Sequence, residues 1–135
     1  MSSKRNKNSL TSLIIQKASV ATAADDALRQ FAAAGVLLPQ PSAVRDYLMR
    51  HSDLVDIMLR AVRAAREKIG GQTQLSLEIY RDPEVDDLYP ALYVRQDEYA
   101  EDIFDLIEDA RSGYEPELAG KTGWFLVTTD LCPPR

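Results

Sequence analysis

Leu75-Ser76-Leu77-Glu78-Ile79-Tyr80 decides the fold. Apolar and polar residues alternate there with a period of two, so Leu75, Leu77 and Ile79 share one face of a half-buried strand. The segments before it have a helical period. The chain therefore divides into a helical part, 9–70, and a β-β-α-β part, 74–130.

Beyond the strand, Arg81-Asp82-Pro83-Glu84-Val85-Asp86-Asp87 has turn composition and leads to a second strand near Leu88–Gln96, with Leu92 and Val94 facing in. A helix over Glu98–Arg111 is expected next, with Tyr99, Ile103, Leu106, Ile107 and Ala110 inward. Gly113 closes it. The last strand, Trp124–Thr129, is apolar at consecutive positions, the pattern of a strand covered on both sides.

On the N-terminal side, Leu54, Met58, Ala61, Val62, Ala65 and Ile69 repeat at helical spacing from about Asp53, and Gly70-Gly71 stops that helix. A shorter helix runs from a Ser42 cap to Arg50, turning Val44, Tyr47 and Leu48 inward, behind the break Pro39-Gln40-Pro41. Two further helical pieces are expected over 9–20 and 22–34. Thr22 caps the second, and Leu28, Phe31, Ala32 and Gly35 form its stripe. Residues 1–8 lack apolar content and are expected to be a flexible basic arm. The sum is a single α+β domain over 9–135, its N-terminal helices packed on a three-stranded sheet. A strand–helix–strand crossover makes the second and third strands parallel.

The length of 135 residues suits one core that needs no staples. Cys132 is the only cysteine, which removes internal disulfides and cysteine-rich zinc sites and favours a cytoplasmic location. No apolar run approaches the roughly 18 residues of a membrane span. The net charge of −5 hides a gradient: +4 over residues 1–24, +1 over 25–70 and −10 over 71–135. Nucleic acid is therefore an improbable ligand of the C-terminal half. Arg60, Arg63 and Arg66 step along one helix and could bind phosphate or pair internally with the acidic half.

Four groups of residues are candidates for function. Glu98, Glu101, Asp102, Asp105, Glu108 and Asp109 load one helix face with like charge, without basic partners at i+4 until Arg111. A basic protein partner would relieve that repulsion. Asp82, Glu84, Asp86 and Asp87 could supply oxygen ligands to a hard cation. They miss the EF-hand pattern, with Asp87 where glycine is required and Tyr93 where glutamate is required, so a plain turn is the simpler reading. Trp124, Tyr89 and Tyr93 could line a pocket, although aromatic residues on strands are usually core.

The fourth group, Arg45 and His51 in Arg45-Asp46-Tyr47-Leu48-Met49-Arg50-His51, resembles the Arg–polar–four-residue–His spacing of HEPN-superfamily ribonucleases. That resemblance implies metal-independent phosphodiester cleavage, with His moving the proton and Arg holding the phosphate. The β-rich half departs from that all-helical family, and a histidine at a helix C-terminus is also explained by the helix dipole.

Leu75–Asp87, Leu92-Tyr93-Val94-Arg95 and Gly123–Asp130 resemble a group of small bacterial proteins without a known activity. The resemblance implies a bacterial source and a self-contained domain of the accessory or antitoxin-like kind, acting through a second protein. The expectation is accordingly a non-catalytic interaction protein without a cofactor, able to form homo-oligomers. An Arg45/His51 ribonuclease and a small-ligand or metal-binding domain are the alternatives.

Overall fold

The computed structural model describes residues 19–70 and 72–135. The expected arm, most of the 9–20 helix and Gly71 lie outside them. Helix α1 covers 19–33 of the described residues, α2 is Pro41–Arg50, and a 3₁₀ turn at Ser52–Leu54 leads into α3, Val55–Ile69. Strand β1 is Gln74–Asp82, β2 is Asp87–Arg95, α4 is Ile103–Ser112 and β3 is Leu126–Thr128. A second 3₁₀ turn occupies Glu115–Gly120.

The sheet runs β1-β2-β3, with β1 and β2 an antiparallel hairpin and β2 and β3 parallel across α4. This is the α+β arrangement expected from the change of period between residues 70 and 74. Leu75 faces Val94, Leu77 faces Leu92, and Leu92 faces Val127. All five are fully buried and join one core with Phe31, Val44, Leu48, Leu54, Met58, Ala61, Ile103, Ile107 and Phe125. At about 1.5–3 kcal/mol per buried large apolar side chain, this shared face holds helices and sheet together.

The edge of β1 is covered by the segment after α1. Leu37 N–H donates to Leu75 O, and Leu77 N–H donates to Leu37 O, both at 2.9 Å. Farther along, Ile79 N–H donates to the side-chain oxygen of Gln40 at 3.0 Å. Partnered this way, the edge has few open backbone groups with which to recruit a foreign strand.

Several local expectations are corrected. The helix runs unbroken through Ala21 and Thr22, so Thr22 is not an N-cap; neighbouring alanines favour helix, and Ala24 and Ala27 are fully buried in it. The inward residues of α1 are Ala24, Ala27 and Phe31 with half-buried Leu28, whereas Ala32 and Gly35 are exposed. Helix α2 begins one residue before Ser42, because Pro41 occupies its first turn, where a missing N–H costs nothing. The expected helix over Glu98–Arg111 begins only at Ile103. Gln96 accepts the Ala100 N–H at 2.9 Å, and this local turn holds the chain away from helix until residue 102. The last strand shortens to Leu126–Thr128, with Val127 fully buried and its two neighbours half-buried, so it is not covered evenly on both sides.

The second face of the sheet carries a charge. Arg95 is fully buried, with Nη1 on Glu78 at 3.0 Å, Nε and Nη2 on Asp130 at 3.2 and 2.9 Å, and its guanidinium over the Tyr93 ring at 4.8 Å. Ser76 Oγ adds a bond to the same Glu78 oxygen at 2.8 Å. The paired Arg95 holds Asp130 down to about 2, against a burial effect in the other direction. The last residues are tied down alongside: Gln74 and Arg135 exchange two hydrogen bonds at 2.9 Å, and Tyr99 Oη donates to Cys132 O.

Candidate functional site

The acidic residues divide between α4 and the turn before it. Glu98, Glu101 and Asp102 lie in that turn and Asp105, Glu108 and Asp109 on the helix, so one continuous acidic helix face is not formed. Ile103, Ile107 and Ala110 point into the core. On the outer side Phe104 and Glu108 form one i,i+4 ridge and Asp105 and Asp109 the next. Phe104 is 62% exposed. No salt bridge to any of these six carboxylates occurs among the described residues.

The acidic hairpin is a turn. Asp82 accepts the Glu84 N–H at 2.9 Å, closing a local loop, and Asp86 takes a positive φ of 48°. No cluster of three or more metal-ligating side chains exists among the described residues, so Asp82, Glu84, Asp86 and Asp87 do not assemble as a cation site. Asp86 and Asp87 line a neighbouring cleft, whereas Asp82 is turned onto the Glu84 N–H, so the four carboxylates do not converge.

Arg45 and His51 have separate partners. Arg45 Nε donates to Asp25 on α1 at 2.7 Å and Nη1 reaches Met49 Sδ at 3.2 Å. The hydrogen bond from Arg45 holds the Asp25 carboxyl below its ordinary range. His51, the C-cap of α2, instead meets Thr122. The internal reading also applies to two of the three stepping arginines. Arg60 pairs with Asp56 and with Glu117 of the acidic half, and Arg66 donates to the carbonyls of Ala34, Gly35 and Thr73.

His51 belongs to a cleft of about 400 Å³ lined by Tyr47, Arg50, His51, Asp86, Asp87, Leu88, Thr122, Gly123 and Trp124. Its floor, residues 122–124, is pinned from below. Asp53 accepts both the Thr122 N–H at 2.9 Å and the Thr122 hydroxyl at 2.8 Å. Trp124 N–H donates to Tyr47 Oη at 3.0 Å, and Tyr47 Oη returns a bond to Trp124 O at 3.3 Å. A Cβ at Gly123 would lie 2.6 Å from Tyr47 Oη and 2.9 Å from His51 Cγ, so glycine permits this close approach. Burial pushes the Tyr47 phenol up. At Asp53 burial acts upward as well, but the Thr122 hydrogen bonds outweigh it and hold the carboxyl below its usual range.

The hydrogen-bond order fixes the imidazole. Thr122 has one hydroxyl proton and gives it to Asp53, so toward His51 Nδ1, 2.9 Å away, it can only accept. Nδ1 therefore carries the proton, and Nε2 is the nitrogen left for a ligand. Of the residues that build this cleft, Trp124 was visible in the sequence as a pocket candidate, whereas Tyr89 and Tyr93 do not line it. Asp53 and Thr122 had no signal: they lie 69 residues apart, and only the tertiary fold joins them.

The fold and its sites define an α+β domain with an acidic outer helix and a small polar cleft. No family model, curated protein or solved structure matches the chain. Among the described residues no helix is long and apolar enough to cross a membrane.

Proposed function

We propose that the protein is a non-catalytic interaction module, of the accessory or antitoxin-like kind, that binds a basic protein through the outer side of α4. The observation that carries this reading is Phe104. A large aromatic side chain that is mostly exposed on a helix with a complete buried face supplies nothing to the core. With Glu108 one turn further along its ridge and Asp105 and Asp109 on the next, it has the makeup of an interface anchor beside a polar rim. The acids supply attraction and orientation, and the aromatic ring supplies desolvated contact. Glu98 and Glu101 extend the same charge into the preceding turn.

The cognate partner is a protein with a basic surface and an apolar pocket for the ring. The test is capture of that partner by wild type and by the D105K/E108K/D109K triple variant. The variant should bind at least about tenfold more weakly, a loss of some 1.4 kcal/mol, with an unchanged thermal midpoint. Equal capture by the reversed helix would remove this function.

A further inference from the structure

The cleft at the end of α2 holds charges of both signs that do not neutralise one another. Arg50 and His51 stand on one wall, and Asp86 and Asp87 at the close of the hairpin stand on the other. Arg50 contacts the Asp46 carbonyl at 3.4 Å and lies 5.9 Å from the Tyr47 ring, and it has no ion pair among the described residues. Asp87 likewise has none there, and Asp86 meets only Arg81, at 4.0 Å. The floor between them is fixed, because Asp53 and Tyr47 hold residues 122–124 and Thr122 holds the imidazole.

We infer that this cleft binds a small zwitterion, a ligand with an anionic group and an amine a few bonds apart. The anionic end takes Arg50 and the imidazolium form of His51, which gives its Nδ1–H to Thr122 and its Nε2–H to the anion. The ammonium end takes Asp87 and Asp86, in a cleft that Trp124 also lines, 41% exposed and with a π-system that attracts cations. A simple anion would be repelled by the hairpin acids and a simple amine by Arg50. The volume is at the small end of ligand sites, which suits a metabolite-sized molecule. Asp53 and Thr122 are positioning residues, since they act on the ligand only through the orientation of His51. This site is separate from α4 and stands whether or not α4 binds a protein.

The experiment is calorimetric titration of the full chain with O-phosphoethanolamine, inorganic phosphate and ethanolamine as the probes. The zwitterion should bind at least about tenfold more tightly than either half alone. Asp87→Asn should bring its affinity down to that of phosphate. His51→Asn retains an N–H for Thr122 but lacks Nε2, so it should keep the wild-type thermal midpoint and lose about tenfold in zwitterion and phosphate affinity alike; Arg50→Gln should do the same. Nitrogen NMR of His51 should place the neutral-form proton on Nδ1, and Thr122→Val should abolish that preference. The inference is overturned if phosphate binds as tightly as the zwitterion, if none of the probes binds at millimolar concentration, or if His51→Asn binds like wild type.

Discussion

Glu78 and Asp130 flank a buried arginine and end their charge there, whereas Asp105, Glu108 and Asp109 share the outer side of α4 with an exposed phenylalanine and meet no cation among the described residues. Both groups belong to the same strongly acidic half of the chain. In the first, Arg95 donates through Nε and both terminal nitrogens to the two carboxylates and stacks on Tyr93. That arrangement orders the sheet and the end of the chain. In the second, a helix with a complete apolar face carries surplus charge and surplus apolar area outward, where neither adds to folding. Net charge alone would treat the two alike. Burial and pairing tell them apart.

The largest effect on stability should come from Arg95→Ala. It removes a fully buried side chain and leaves the partly exposed Glu78 and Asp130 without their cation, so a loss of about 2–5 kcal/mol is expected; urea denaturation reads it directly. A loss below 1 kcal/mol would mean that the cluster is as solvated as the α4 surface, and the contrast would fail.

The hairpin, the second and third strands and the buried face of α3 were all legible in the sequence, because burial of a two-period or 3.6-period pattern leaves a local trace. The beginning of α4 was not. Glu98, Glu101 and Asp102 continue the helical period, but Gln96 binds the Ala100 N–H and delays the helix, a choice made by one side chain. Arg95 was equally hidden. Its position in a strand was clear, but its partners lie 17 and 35 residues away and only register brings them together. The cleft is the extreme case: Tyr47 was read rightly as an inward residue, yet its hydroxyl holds Trp124, 77 positions later.

Gly123→Ala tests a third place where polar groups are used internally. The added carbon meets Tyr47 Oη and the His51 ring, and relief requires the floor to move. A loss of about 1–3 kcal/mol is expected in thermal or urea melts, accompanied by a change in Trp124 fluorescence. An unperturbed fluorescence spectrum would show that the floor of the cleft is not fixed as described.

Acid sharpens the first comparison. The folded-state pKa of Asp130 is depressed to about 2 from an ordinary 3.8, so its contribution is present above pH 4 and lost as pH falls from 4 toward 2. Asp130→Asn should cost about 1–2 kcal/mol at neutral pH, at the lower end because water partly screens the carboxylate. The variant should also flatten the pH dependence of stability across that window. An unchanged slope would assign the acid sensitivity to other groups.

The smallest stability effect is expected on α4. Phe104→Ser should change the unfolding free energy by less than about 0.5 kcal/mol, and the triple charge reversal should also stay within that range. A loss of 2 kcal/mol or more for either would make the outer side of α4 part of the scaffold.

The most direct test places a photo-cross-linking benzoylphenylalanine at position 104 in living cells, with the same residue at Tyr80, another exposed aromatic, as the control. One dominant adduct is expected from position 104, to a protein with a basic surface, that disappears when Asp105, Glu108 and Asp109 are reversed and is missing from position 80. Adducts that are the same from both positions, or that persist after charge reversal, would contradict it.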